Sequence, residues 1–127
     1  MLVPVPVQQE IVQRAPLLAY VPSRLAPGWS YVTWATTGKT LVIVFRTRAG
    51  KEIDFLVTRS AGSCSFSSQK TFQMAGVKAY WGHTAAQQRA WRCVNGMRLT
   101  AATSLPPDRF ADVGLARLVA SGHRIRR

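Results

Sequence analysis

From Trp29 onward the chain alternates apolar and polar residues with the period of two that is typical of half-buried β-strands. Turns containing glycine separate these runs and predict strands at residues 29–36, 39–47, 51–59, about 76–81, 90–94 and 97–103. Because short turns join consecutive runs, neighbouring strands are expected to be antiparallel. The pattern therefore predicts an α+β fold with one antiparallel sheet of about five to six strands.

Three turns determine the expected strand register: Thr37-Gly38, Arg48-Ala49-Gly50 and Asn95-Gly96. A two-residue loop in the first hairpin places Trp34 opposite Leu41. A three-residue loop in the second places Phe45 opposite Ile53, whereas a shorter loop would break the hydrophobic alternation. Both hairpins then direct the same face towards the core, which makes the register internally consistent.

An amphipathic helix is predicted at about residues 107–121. Pro106-Pro107 provides a rigid entry, Asp108 and Asp112 suit the positive end of the helix dipole, and Gly122 suits the C-terminal cap. One side of the helical wheel is apolar and is expected to pack on the sheet: Phe110, Ala111, Gly114, Leu115 and Leu118. Within that stripe, Gly114 predicts a close approach of the backbone to the sheet.

The first 28 residues contain five prolines, which fix φ and withhold backbone donors. This segment is expected to be extended or looped, with at best a short helix from Gln8 to Arg14. The expected organisation is a proline-rich segment, residues 1–28, packing on a single α+β domain, residues 29–127.

The face of the sheet opposite the predicted core is unusually apolar for a solvated surface. The register assigns to it both apolar and polar side chains: Trp29, Tyr31, Val42, Val44 and Leu56, with Thr33, Arg46, Glu52 and Asp54. Two interpretations remain open. The proline-rich segment and the loop around Cys64 cover this face, which is the favoured interpretation, or the face is kept for a ligand.

The two cysteines, Cys64 and Cys93, are 29 positions apart, and their loop and strand contexts predict a disulfide. The alternative is two independent buried thiols. Because Trp91 and Cys93 share a strand face, a disulfide would hold the polar loop, residues 62–68, across the second face of the sheet. His83 and His123 do not complete a zinc pattern with the cysteines, so no metal or other cofactor is predicted.

The charge is strongly positive, with 17 Lys and Arg against 5 Asp and Glu, a formal net charge of +12. Such a surface favours polyanions or anionic membranes, although scattered arginines also serve simply as a solubilising surface. No apolar run reaches the length of a membrane span, and the first residues lack the pattern of a signal peptide. The protein is thus expected to be cytoplasmic, or to be exported by a segment outside this sequence.

Catalytic chemistry has little support in the sequence. Glu52 and Asp54 share a strand face, but Arg46 lies opposite Glu52 in the register, so surface ion pairing is the favoured explanation. His83 is not linked to a nucleophile by any motif, and neither a phosphate-binding loop nor a serine elbow occurs. The sequence therefore predicts a protein that is not an enzyme.

One segment of the chain resembles a known domain family, and this resemblance bears on the cellular location of the protein. The segment Tyr20-Val21-Pro22-Ser23-Arg24-Leu25-Ala26-Pro27-Gly28-Trp29 resembles the opening of an uncharacterised bacterial domain family found near the C-termini of exported lipoproteins and anti-sigma-factor-like proteins. That family is similar to the outer-membrane lipoprotein carrier group. Later features follow in the family's order: Tyr80-Trp81, Ala90-Trp91-Arg92, Gly96 and the closing helix of residues 115–121. The resemblance implies a sheet packed on a helix, no catalytic residues, and an extracytoplasmic setting with a membrane tether absent from this chain.

The leading hypothesis is a non-enzymatic ligand-binding or sensing domain of the periplasm or cell surface, acting on a peptide, a lipid or a polyanion. Its expected contact surface consists of Trp29, Tyr31, Arg46 and Trp91. The rival is a basic nucleic-acid-binding module of the cytoplasm, since aromatic strands and cations suit bases and phosphates. The rival is ranked lower because no ribonucleoprotein signature or helix-turn-helix occurs.

Overall fold

A computed structural model describes residues 2–59, 64, 68–84, 86–104 and 111–126, apart from the side chains of residues 111 and 112. Within these residues the chain forms two α-helices, one short 3-10 helix and nine β-strands. In chain order the elements are α1 (Val5–Arg14), the 3-10 helix (Pro16–Leu18), β1 (Tyr20–Val21), β2 (Ser30–Thr36), β3 (Thr40–Arg46), β4 (Glu52–Arg59), β5 (Lys70–Met74), β6 (Val77–His83), β7 (Gln88–Val94), β8 (Met97–Thr103), α2 (Ala111–Ala120) and β9 (His123–Arg124).

Seven strands form an antiparallel sheet in the order β2-β3-β4-β8-β7-β6-β5, and β1 pairs with β9 in a separate two-stranded ribbon. The large sheet consists of two meanders, β2-β3-β4 and β5-β6-β7-β8, which meet where β4 pairs with β8. The predicted α+β architecture of an antiparallel sheet packed on a C-terminal helix is confirmed.

Two of the predicted hairpins have the expected register. Phe45 faces Ile53 across β3 and β4, and the preceding loop ends with Gly50 in the left-handed region at φ 84°. Val94 faces Met97 across β7 and β8, around a turn whose two residues, 95 and 96, have φ values of 50° and 78°. These turns support the right-handed twist of their strands, and their chemistry was readable from the sequence.

The predicted register of the first hairpin is wrong. Trp34 faces Ile43 instead of Leu41, because the two loop residues are 38 and 39, with Gly38 at φ 86° in the first loop position. The pairing then shifts between Tyr31 and Thr33, where β2 forms a bulge. A bulge inserts one unpaired residue and turns the side chains that precede it to the other face. Tyr31 consequently faces the same side of the sheet as Phe45.

Several elements differ from the sequence-based expectation. β5 was not predicted, because it is an edge strand whose side chains are mostly exposed, and because its turn to β6 places Ala75 at φ 51° without the usual Asn or Asp signal. The β1–β9 ribbon was not predicted either, since two-residue strands carry no periodicity. α1 starts at Val5 rather than Gln8. A turn in which the backbone N–H of Thr84 donates to the carbonyl oxygen of Gln87 leads into β7 at Gln88, two residues before the predicted start of that strand.

Both helices lie on one side of the sheet, here called the helix side; the opposite side is called the second face. α2 contacts β5 to β8. α1 covers the other end, where its fully buried Ile11 joins the core and the guanidinium of Arg14 lies 4.9 Å from the centre of the Trp34 ring. The side chains of β3, β4 and β8 that point to the helix side form the centre of the core: Leu41, Ile43, Phe45, Ile53, Phe55, Val57, Leu99 and Ala101.

Among the described helices, neither combines the length and apolarity that a membrane crossing requires.

The predicted apolar stripe of α2 is confirmed where it is described: Gly114, Leu115 and Leu118 are buried. The proposed entry to the helix, residues 106–108, lies outside the described residues, as do the side chains of Phe110, Ala111 and Asp112.

Arg92 stabilises the C-terminal end of α2 from the sheet. Its two terminal nitrogens donate hydrogen bonds to the carbonyl oxygens of Ala120 and Gly122, at 3.5 and 2.9 Å. A cation at this position satisfies carbonyls that have no intrahelical partner and complements the helix dipole. Burial lowers the pKa of the Arg92 guanidinium below its ordinary value.

Gly122 follows α2 as expected, but for a different reason. It does not adopt the positive φ of a glycine cap. A Cβ built on Gly122 would lie 2.6 Å from Cδ1 of Leu99, so glycine is needed here because the end of the helix passes directly over β8.

We expect Gly122→Ala to lower the free energy of unfolding by about 1–3 kcal/mol, as overpacked core positions do. Urea denaturation of the wild type and the variant measures this difference. In a Leu99→Val background, which shortens the opposing side chain, the cost of Gly122→Ala should become smaller. An equal cost in both backgrounds would show that contact with Leu99 is not the cause.

Candidate functional site

The second face carries a row of side chains that crosses all seven strands. Strand pairing aligns the row as Ala35, Val42, Leu56, Thr100, Trp91, Tyr80 and Thr71. At its centre Trp91 is only 7 % exposed and stacks on Tyr80, with ring centroids 6.2 Å apart. The row is therefore apolar at its β2 end and becomes aromatic and polar towards β5.

The connection between β4 and β5 has to cross this half of the sheet, because β4 lies in the middle and β5 at the far edge. Four strand spacings amount to about 19 Å. Cys64, within this connection, forms a disulfide with Cys93 with the two Cα atoms 5.9 Å apart, and its carbonyl oxygen accepts a hydrogen bond from Nε1 of Trp91. Since Trp91 and Cys93 point to the second face, Cys64 is held on that face over β7.

The predicted disulfide is thus confirmed, and it holds Cys64 on the second face. On the chain-entropy model, a link across 29 positions stabilises a fold by roughly 3.5 kcal/mol. The proline-rich segment, by contrast, does not cover the second face, because α1 lies on the helix side. Of the predicted polar loop, residues 62, 63 and 65–67 lie outside the described residues.

Beside Cys64 the second face contains a cavity of about 410 Å³. Its described lining comes from β6, β7 and β8 and from the segments that flank them: Gln69, Gly82, His83, Thr84, Gln87, Arg89, Trp91, Arg98 and Thr100. This lining includes two guanidinium groups and no acidic side chain. Amide and hydroxyl groups supply further hydrogen-bonding positions, so the cavity is suited to an anionic ligand that carries several oxygen atoms.

Hydrogen bonds within the protein hold one edge of the cavity in place. Oε1 of Gln69 accepts a hydrogen bond from the backbone N–H of His83 at 2.5 Å. The hydroxyl of Thr84 accepts from the backbone N–H groups of Ala86 and Gln87, both at 3.3 Å, which closes the turn before β7. Because these side chains and backbone groups are already held in place, this edge of the cavity needs little reordering when a ligand binds.

A pair of carboxyl groups lies beside the cavity. The pKa of Asp54 is raised to about 6, first by burial and then by the hydrogen bond to Glu52 and the negative charge of Glu52. Ion pairing between Glu52 and Arg46 was the favoured explanation of this cluster, and the two do face each other. Within the described part of the chain, however, the one ion pair within 4.0 Å joins Arg14 to Glu10. The two carboxyl groups instead interact with each other.

Asp54 is in the same row of the second face as Arg89, with Ala102 between them on β8. Two strand spacings separate Asp54 and Arg89, which is about 10 Å. Asp54 therefore lies outside the lining of the cavity but near enough to add to its electrostatic potential when it ionises.

The four residues of the predicted contact surface are divided between the two sides of the sheet. Trp91 lines the cavity and Arg46 is exposed on the second face. Tyr31 lies on the helix side, where burial and the charge of Glu10 raise its pKa. Trp29 also lies there, just before β2. A Cβ built on Gly114 of α2 would lie 2.9 Å from the Trp29 ring, so the close approach at this glycine is to that side chain and not, as predicted, to the sheet. The structure therefore does not bring the predicted residues together.

Sequence reasoning missed the cations of the cavity. The predicted strand at residues 90–94 began one residue after Arg89, so the predicted register did not assign Arg89 to either face of the sheet. Arg98 could have been found, because the turn at residues 95 and 96 implies that Arg98 faces Cys93. Gln69 and His83 reach the site through β5 and the far end of β6, and no local pattern indicates this.

The described residues contain no group of three or more His, Cys, Asp and Glu side chains that could hold a metal ion. Comparison of the chain with protein-family models and with curated proteins found no match. The class that fold and site define is thus an α+β domain with a disulfide and a cationic cavity on the second face of its sheet.

We expect the folded protein to lose stability as the pH rises from about 4 to 7, because of Asp54. The unfolded state releases this proton near pH 3.9, whereas the folded state holds it until about pH 6. Between these values the folded state binds more protons, so raising the pH favours unfolding. Asp54→Asn should reduce this loss, as measured by urea denaturation across the range.

Carbon-detected NMR titration of the Asp54 carboxyl provides the direct measurement. Its midpoint should lie near 6 and should fall in Glu52→Ala, while burial keeps it above the ordinary value. A wild-type midpoint near 4 would contradict the interaction between the two carboxyl groups.

Proposed function

We propose that this chain is a non-enzymatic ligand-binding or sensing domain that acts outside the cytoplasm, and that the second-face cavity binds an anionic, oxygen-rich ligand. The observation that carries the proposal is the convergence of Arg89 and Arg98 on one cavity whose described lining has no acidic side chain.

The cavity offers complementary chemistry for such a ligand. A guanidinium is planar and donates two parallel hydrogen bonds to a carboxylate, sulfate or phosphate group. Thr100 and Gln87 add neutral donors, and the Trp91 ring gives an apolar wall. The overall charge of +12 increases the rate at which anions encounter the surface.

A binding role is preferred to catalysis because of what surrounds His83. Nδ1 of His83 lies 3.4 Å from the carbonyl oxygen of Thr84, which is a local backbone contact. The described lining of the cavity includes no cysteine or acidic side chain that could act with His83 as a catalytic partner.

The disulfide supports an extracytoplasmic location, because such bonds persist in oxidising compartments. The resemblance of residues 20–29 to a family of exported lipoproteins and anti-sigma-factor-like proteins points to the same setting.

We expect protein purified without reductant from its native compartment to show no reactive thiol under denaturing conditions. Thiol quantification before and after reduction measures this, and reduction should release two thiols per chain. Two reactive thiols before reduction would contradict both the oxidised state and the proposed location.

We expect Arg89→Ala to weaken binding of an anionic probe at least about tenfold, since hydrogen bonds to charged groups contribute about 1.5–3 kcal/mol. Citrate and dextran sulfate are suitable probes, with affinity measured by calorimetry at low and at physiological salt. Lys51→Ala is the matched control, because it removes one exposed charge in the hairpin turn that precedes β4. Equal weakening in both variants would show that net charge, and not the cavity, binds the probe.

The nucleic-acid alternative has one observation in its favour. Lys78 lies 5.9 Å from the Tyr80 ring, which in turn stacks on Trp91, so a cation and aromatic rings share the second face. A single-stranded oligonucleotide in the same assay tests it. Steeply salt-dependent binding that exceeds binding of dextran sulfate, and that is lost in Tyr80→Ala, would favour this alternative.

A further inference from the structure

The exposed apolar side chains of this protein are concentrated near the start of the chain. Among the described residues, four large hydrophobic side chains are exposed: Leu2 at 46 %, Val5 at 66 %, Leu17 at 61 % and Val32 at 39 %. Three of them lie within residues 2–17, whereas Val32 lies at the bulge of the edge strand β2. An exposed leucine has a free-energy cost in water that a partner can remove.

Arginines flank each of the two exposed leucines. A terminal nitrogen of Arg124 donates to the carbonyl oxygen of Pro16 at 3.1 Å, which places a guanidinium beside Leu17. Leu2 lines an open cleft of about 560 Å³ together with the exposed Arg24 and Arg117. The described lining of this cleft also includes Leu25, Pro27 and Trp29, and no acidic side chain.

Hydrogen-bonded backbone connects the surroundings of Leu17 to the cleft that Leu2 lines. β1, just after Leu17, pairs with β9, which contains Arg124. Further along, the hydroxyl of Ser121 accepts hydrogen bonds from the backbone N–H groups of residues 23 and 24, at 3.1 and 3.0 Å. A hydrogen-bonded ribbon thus links the surroundings of Leu17 to the cleft. We name this surface the basic rim and define it by Leu2, Leu17, Arg24, Arg117 and Arg124.

We propose that the basic rim docks on the surface of an anionic phospholipid bilayer, with its leucines in the headgroup region and its arginines on lipid phosphates. Separate leucines that are each flanked by cations suit a fluid surface, because lipid phosphates can move to meet each guanidinium. A folded protein partner presents charges at fixed positions and is usually met by a contiguous apolar patch. Each arginine near an anionic membrane adds to the attraction, so several act together.

This inference goes beyond the proposed function. The basic rim shares no residue with the second-face cavity, so ligand binding and membrane docking can be measured separately on the same protein.

Sedimentation with vesicles tests the docking surface. Vesicles of mixed phosphatidylglycerol and phosphatidylcholine should bind the protein, and vesicles of phosphatidylcholine alone should bind it much more weakly. Leu17→Asp should weaken binding about tenfold. Val32→Asp is the matched control, since it makes the same charge change at an exposed apolar residue outside the rim, and binding should change no more than about twofold. Circular dichroism confirms that both variants fold.

A second pair of variants separates specific docking from adsorption by net charge. Arg24→Gln combined with Arg124→Gln should weaken vesicle binding more than Lys39→Gln combined with Lys51→Gln, which lie at hairpin turns. Soluble glycerol phosphate should not compete, because it offers the headgroup phosphate without a surface. Effective competition would assign the rim to a free phosphate compound and overturn the proposal.

Three further outcomes would overturn membrane docking. These are equal binding to both kinds of vesicle, equal weakening by Leu17→Asp and Val32→Asp, and equal weakening by the two pairs of cation variants. Citrate binding, measured in the same variants, should be unchanged in Leu17→Asp. Citrate binding that is weakened in Arg89→Ala, together with equal binding to both kinds of vesicle, would mean that the docking proposal alone has failed. Citrate binding that is unchanged in Arg89→Ala, together with anionic vesicle binding that Leu17→Asp weakens, would mean that the cavity proposal alone has failed.

Discussion

The antiparallel pairing of β4 with β8 joins two meanders that are each built from local hairpins. This contact connects residues that are between 38 positions (Arg59 and Met97) and 50 positions (Ile53 and Thr103) apart, so its formation requires the closure of a long loop. Once β4 lies next to β8, the connection from β4 to β5 has to cross three strands. The disulfide between Cys64 and Cys93 and the hydrogen bond from Trp91 hold one residue of that connection, Cys64, on the second face. The braced crossing, and the cavity beside it, follow from this one pairing.

The two faces of the sheet have different physical roles. The helix side buries its apolar side chains under α1 and α2, and even its arginine, Arg92, is used to complete the end of a helix. The second face keeps charged groups that the core could not accommodate without partners. Arg89 and Arg98 converge there on a cavity, and Asp54 titrates near neutral pH two strands away. The cavity proposed to bind a ligand and the basic rim proposed to dock on a membrane share no residue.

The residues of the candidate site show why only part of it could be predicted. The turn at Asn95-Gly96 determines its register locally, because both residues accept a positive φ, and Trp91 was therefore placed on the second face correctly. Tyr31 was placed on the wrong face, since a bulge inverts the side-chain alternation and leaves no mark in the periodicity. Arg46 and Glu52 face each other as predicted, yet the nearby burial of Asp54 favours a carboxyl pair over an ion pair.

By itself, the sequence determined the elements that depend on neighbouring residues: the α+β class, two hairpin registers and the buried stripe of α2. These follow from periodicity and turn chemistry, which act over a few residues. Only the tertiary structure decided that β5 lies at the far edge, that the proline-rich segment lies on the helix side, and that Gln69, Arg89 and Arg98 surround one cavity. Those arrangements depend on contacts between distant strands, and local patterns carry no information about them.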